Sequence, residues 1–183
     1  QDVAGLGGDV YFSRTSARGS YFLPVYKKQV IASFFLSGGV ITGWNGKQVR
    51  IVDSFFKGSD SFRGFKRSGI GPRETGTATI NDDALGGKVF AISTAEVSFP
   101  LGLPETWGVR GALFTDVGTL FDAPTPGAAM ALQGDKASLR ASVGASLLYK
   151  SPLGPIRFDL ALPVMKEAFD KTELFRFSAG TAF

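Results

Sequence analysis

Apolar and polar residues alternate along almost the whole chain. In residues 174–183 the positions Phe175, Phe177, Ala179, Thr181 and Phe183 are separated by Arg176, Ser178 and Gly180, the period of two expected of a strand with one apolar face. Residues 156–162 repeat the pattern, with Ile156, Phe158, Leu160 and Leu162 opposite Arg157, Asp159 and Ala161. So do residues 139–149, where Leu139, Val143, Leu147 and Tyr149 face away from Arg140, Ser142, Gly144 and Ser146. Further strands are predicted over 88–100, 108–121 and 29–42, and a less regular one over 10–25. No helical period competes with these.

The polar side of the strands separates two fold classes. A soluble sandwich turns its apolar face inward and covers the other with lysine and glutamate. Here the polar side is mostly serine, glycine and alanine with isolated charges, which suits the wet lumen of a transmembrane barrel whose apolar face meets lipid. Strands of roughly ten residues also fit a tilted crossing of ~30 Å of hydrocarbon. The rival classes are a soluble β-sandwich and a lipocalin-like barrel, either of which would remain in solution without detergent.

Connection lengths agree with the barrel. Short links at 24–28, 101–107 and 150–155 alternate with longer ones at 42–87, 122–136 and 165–173. An up-and-down barrel with short periplasmic turns and long outer loops has this alternation, and it puts the C-terminus on the periplasmic side. The expected fold is therefore all-β, an antiparallel up-and-down transmembrane barrel. The seven or eight strands in 183 residues form only a part of one, because half a barrel leaves two edges that lipid cannot satisfy. The chain is expected to be a fragment or to be completed by another chain, and its opening on Gln1 agrees with a piece of something longer.

Composition narrows the chemistry. Cysteine and histidine are both absent, so the usual zinc, haem and iron–sulfur sites are excluded, as are Ser-His-Asp and Cys-His nucleophiles. No cofactor is expected. The 24 glycines and 17 phenylalanines suit strands with aromatic faces and tight bends. The net charge of +4 invites a nucleic-acid reading, but the cations are scattered singly and no nucleic-acid partner is expected.

The longest outer loop, about 43–87, holds an unusual stretch, Asp53 to Gly69, in which Phe55, Phe56, Phe62 and Phe65 surround Arg63 and Gly64. The run Phe62-Arg63-Gly64-Phe65 resembles the arginine-glycine-phenylalanine signature of the BamA family of outer-membrane β-barrel assembly factors. Other matches follow in order: Ile70 to Pro72, Asp82 to Gly87, Asp116 to Asp122, Ser151 to Pro163, and the terminal spacing of Phe175, Phe177, Gly180 and Phe183.

The resemblance implies a sixteen-stranded barrel in the bacterial outer membrane, preceded by periplasmic POTRA domains, of which this chain supplies the C-terminal half. It implies an insertase without catalytic residues, whose partners are unfolded outer-membrane protein clients, accessory lipoproteins, the lipid bilayer and the missing N-terminal half of the barrel. A TamA-like assembly factor or a two-partner secretion transporter shares the barrel and the loop. A passive porin would instead need an open lumen with no loop folded into it.

Counting by twos gives the signature a physical reason. Glu96 lies on the face of Thr94 and Ser98, and Asp116 on the face of Arg110, so adjacent strands aim two carboxylates into one lumen where Arg63 can meet them. An arginine away from water needs such partners, and Gly64 permits a close or positive-φ turn beside it. The alternative is a solvated arginine and two ordinary lumen charges. In the last strand, Phe175, Phe177 and Phe183 are expected to face lipid and Arg176 and Ser178 the lumen. Gly180 is expected to be a bend at a lateral gate, as the resemblance implies, or simply to make room for a bulky neighbour.

Overall fold

The structure, a computed structural model, describes residues 1–5, 10–26, 29–75, 83–124, 131–152 and 154–180. Strands β1 (Asp2–Ala4), β2 (Phe12–Tyr26) and β3 (Val30–Gly43) are followed by β4 (Arg73–Thr75), β5 (Val89–Pro100), β6 (Val109–Phe121) and β7 (Ala131–Gln133). The chain continues with β8 (Arg140–Ser151), β9 (Gly154–Met165) and β10 (Phe175–Ala179). Eight of them form one sheet in the order β1-β2-β3-β5-β6-β8-β9-β10, while β4 and β7 make a separate two-stranded ribbon. Every pairing is antiparallel. Spatial order follows chain order, as in an up-and-down meander. Among the described residues no pairing joins β1 to β10, so the sheet is an open segment of a barrel wall.

The strands predicted from alternation fall where the pattern puts them, with one departure. Strand β9 extends past 156–162 to Gly154–Met165, because the flanking turn residues still pair with β8. Of the pattern over 174–183, the described residues carry strand β10. It ends at Ala179, and Gly180 follows it, donating its N–H to Pro155 O at 3.2 Å. Thr181 and Phe183 lie outside the described residues. Strands β1, β4 and β7, of three residues each, are too short to carry a periodic signal and escaped the sequence reading.

The two faces of the sheet have opposite character. Phe34, Leu36, Val40, Val97, Leu113, Val143, Leu147, Leu160 and Leu162 project from one face and are exposed. On the other face Ser33, Ile41, Phe90, Ile92, Phe114, Asp116, Leu120, Ser142, Ser146 and Asp159 are buried. What buries several of them is the loop between β3 and β5. Val49, Phe55, Phe62, Phe65 and Ile70 of the loop pack with Ile41, Phe90, Ile92 and Leu120 of the wall into one apolar cluster. The core therefore lies on the inner face, between loop and sheet. Strands β2, β3, β5, β6, β8 and β9 run 12 to 15 residues, about 40 Å at ~3.3 Å per residue, enough to cross the hydrocarbon at a tilt of ~45°.

Candidate functional site

The loop is anchored before it reaches the wall charges. A single 3₁₀ turn, Ile51–Asp53, opens it, and Phe55 then meets Phe90 of β5 edge-on with ring centroids 4.6 Å apart. A tight turn follows: Ser61 Oγ donates to Gly58 O at 2.9 Å, and Ser59 N–H donates to Phe65 O at 2.8 Å. Phe62 and Phe65, 0% and 1% exposed, pack against each other edge-on at 5.0 Å. Burying two such rings contributes about 1.5–3 kcal/mol each, which holds the loop tip inside and fixes where Arg63 emerges.

Arg63 meets both acids. Its Nε donates to Asp116 Oδ2 at 2.8 Å and its Nη2 to Asp116 Oδ1 at 2.7 Å, a bidentate pair, while Nη1 donates to Glu96 Oε2 at 2.7 Å. The backbone N–H of Arg63 also donates to Asp116 Oδ2 at 3.1 Å, and Thr94 Oγ1 donates to Asp116 Oδ1 at 2.7 Å. The guanidinium carbon stands over the Phe114 ring, 3.4 Å from its centroid, a cation–π contact that is stronger away from water. Charge-assisted bidentate bonds of this kind fix direction as well as contributing energy.

The network extends beyond the residues that counting by twos identified. Arg157 of β9 donates to Glu96 Oε2 at 2.6 Å, to Asp159 Oδ1 at 2.7 Å and to Ser146 Oγ at 2.7 Å; Ser146 Oγ in turn donates to Asp159. Glu96 thus bridges two arginines, and two guanidinium groups face three carboxylates. Arg157 and Asp159 stand two residues apart on the polar face of the 156–162 pattern, so that pattern puts them on the inner face. The bond from Arg157 to Glu96, three strands away in the sheet, depends on the register of β5, β6, β8 and β9 and is invisible in one sequence.

Gly64 approaches the wall closely. It has φ 89°, and a Cβ there would lie 3.1 Å from Ser142 Cβ. Both the left-handed backbone and the tight approach favour glycine. On the far side of the loop, residues 63–69 pair with the connection between β9 and β10: Glu173 N–H donates to Gly64 O at 3.0 Å, Lys66 N–H to Lys171 O at 2.9 Å and Lys171 N–H to Gly69 O at 2.9 Å.

In β10, Phe175 and Phe177 are each 54% exposed on the outer face, and Phe177 contacts Phe158 with centroids 5.3 Å apart. Arg176 points inward to Asp60 of the loop at 2.5 Å, and Ser178 lines the same polar cavity of about 560 Å³ as Arg63 and Glu96. Ion pairs line much of the cavity: Arg63 with Glu96 and Asp116, Arg157 with Glu96 and Asp159, and Arg176 with Asp60. Among the described residues no cluster of His, Cys, Asp and Glu could hold a metal ion.

The chain was compared with known proteins. Residues 1–183 match the Omp85 superfamily domain. The outer membrane protein assembly factor BamA of Neorickettsia risticii is 36% identical over 180 residues, covering 98% of this chain and 23% of that protein. The BamA of Neisseria meningitidis serogroup B is 30% identical over 200 residues, covering 94% of this chain and 24% of that protein. The crystal structure of BamA from Haemophilus ducreyi lacking POTRA domains 1–3 superposes with a TM-score of 0.82 at 24% identity, covering 96% of this chain and 36% of that one. The chain spans about a quarter of the length of the two BamA relatives. With its whole length matched and its sheet laid out as a stretch of that barrel wall, the chain belongs to the Omp85 superfamily.

Proposed function

We propose that this chain is the C-terminal part of the barrel of an outer-membrane insertase, which folds and inserts other β-barrel proteins through a lateral gate. In this reading it sits in the bacterial outer membrane with its C-terminus on the periplasmic side. Its partners are unfolded outer-membrane protein clients, accessory lipoproteins, POTRA domains and the remaining barrel strands. It acts as a template and uses neither cofactor nor catalytic residue.

The observation that carries the reading is the uneven pairing of the wall. Among the described residues β10 pairs with β9 through five, Phe175 to Ala179, with one further bond from Gly180 N–H to Pro155 O, whereas β5 pairs with β6 over twelve, Val89 to Pro100. An edge strand held by few bonds opens at low cost, and its unpaired backbone groups, expensive in lipid, pair with an incoming strand. Gly180, just past the end of β10, lacks a packing side chain and gives the chain freedom to bend there. The docked Arg63 loop occupies the inner face, which supports an assembly role over that of an open pore.

The test joins a cysteine near Gly180 to one on the first strand of the complete barrel. Closing that disulfide is expected to stop insertion of client barrels into liposomes and reduction to restore it. Insertion at full rate with the seam locked would defeat the gate.

A further inference from the structure

A second ion pair lies outside the Arg63 network. Arg140, the first residue of β8, donates from Nε to Asp170 Oδ2 at 3.1 Å and from Nη2 to Asp170 Oδ1 at 3.3 Å, and both side chains are 0% exposed. Arg140 also donates to Ser138 O at 2.9 Å and stands 5.8 Å from the centre of the Phe169 ring. Asp170 Oδ2 accepts the Glu167 N–H at 2.8 Å. The acid thereby shapes its own turn while it holds the arginine. A charge pair so fully withdrawn from water persists only with such complete satisfaction.

Asp170 belongs to the connection 166–174, which has three attachments. At one end Arg140 fixes it to the outer end of β8. In its middle it pairs with the Arg63 loop through Lys66, Gly69 and Gly64, and Phe65 forms a bridge with Thr172. At its other end Leu174 O accepts the Ala161 N–H at 2.9 Å, and the next residue begins β10. We infer that residues 166–174 are a strap, with Arg140 and Asp170 as positioning residues, that ties the seating of the Arg63 loop to the pairing of the terminal strand. Arg63 is bonded to Asp116 and Glu96 of the wall, and the loop residues that follow it are bonded to this strap. Movement of the loop tip away from the wall pulls on the segment that leads directly into β10, and fraying of β10 loosens the backing of the loop.

This coupling deepens the proposed gate and rests on it for its consequence in assembly, but its physical content is tested separately. Hydrogen exchange is measured on the full-length protein in lipid nanodiscs, for the wild type and two unrelated perturbations. Asp170→Asn removes the charge at the strap's root. Gly69→Ala leaves the ion pair intact but adds a Cβ that would lie 2.6 Å from both Lys171 O of the strap and Lys66 O of the loop, breaking the strap–loop contact from the loop side. Each single variant is expected to raise exchange in both 63–69 and 175–179, on the order of tenfold, and the double variant to raise it little further, since both break one connection. The charge-swapped Arg140→Asp/Asp170→Arg protein is expected to recover part of the protection. Exchange rising only within 167–172, or a double variant whose effect is the product of the singles, would overturn the strap. If exchange rises in both segments while client insertion is unchanged, the strap stands and the assembly role of the loop and gate falls.

Discussion

The two faces of one sheet solve the same problem in opposite ways. Leu113 of β6 projects outward and is 57% exposed, while its neighbour Phe114 faces inward at 5% and carries the Arg63 guanidinium. One residue later on that inner face, Asp116 is 1% exposed and fully bonded. The outer face is uniform because lipid asks only for apolar surface and lets neighbouring strands tolerate exchange of one hydrocarbon for another. The inner face is individual: Arg63, Glu96, Asp116, Arg157 and Asp159 each bond to a named partner on another strand or on the loop. Function that depends on geometry therefore belongs on the inner face, and the outer face sets where the wall sits.

Breaking the inner face is expected to give the larger effect. Asp116→Ala takes from buried Arg63 its bidentate partner and leaves it Glu96 and, at 4.0 Å, Asp159; losing one partner of a buried pair costs about 3–5 kcal/mol. Urea unfolding in lipid vesicles, together with tryptic cleavage after the exposed Lys66 and Arg67, reports it. A midpoint unchanged within error and a loop that stays protected would show the network to be ornamental. On the outer face Leu160→Arg places a cation against hydrocarbon, at about 2–4 kcal/mol near the midplane and less toward an interface. The same titration measures it. An arginine tolerated at Leu160 in lipid would mean that this face is not the lipid-facing one.

The faces also differ in how much of them a single sequence reveals. Strand positions and the facing of Glu96 and Asp116 were legible because lipid and lumen impose alternation on consecutive residues, a local signal. The aromatic crowding around Arg63 marked the loop as one that needs a surface to pack on. Pairing across strands is not local. Arg157 reaches Glu96, 61 residues away, and Arg140 reaches Asp170, 30 residues away in a connection with no periodic pattern. Of the alternation through 174–183, the described residues carry the pairing of Phe175 to Ala179 with β9; hydrophobic period reports which way a side chain points, not whether its backbone is bonded.

A smaller change sharpens the contrast at the contact between loop and wall. Gly64→Ala retains every charge but forces an L side chain into φ 89° beside Ser142. The expected cost is about 1–2 kcal/mol, seen as faster cleavage after Lys66 and Arg67. Equal cleavage rates in the variant and the wild type would mean that the loop shifts freely and that its close seating on β8 is not needed.

The smallest expected effect comes from a cation that the network leaves out. Lys57, on the loop, stands with Nζ 3.7 Å from the centre of the Phe90 ring. Burial, followed by repulsion from Arg18 and Arg14, holds its ammonium below the ordinary lysine value of 10.5. A lysine with a lowered value when folded has already lost its proton over a range of pH in which the unfolded chain still carries one. Stability therefore rises as pH climbs through that range, levels off above 10.5, and is lost again as pH falls through the folded value. Lys57→Met removes both the burial penalty and this dependence. The difference between variant and wild-type unfolding midpoints, with the variant the more stable, is thus expected to hold constant from neutral pH up to the folded value of Lys57 and to shrink from there to pH 10.5. Solvation of the ammonium keeps the effect small, since Lys57 is only half-buried. A difference that stays constant across that range would show that Lys57 keeps its proton as readily in the folded loop as in the unfolded chain, and that the cation–π contact with Phe90 offsets its burial.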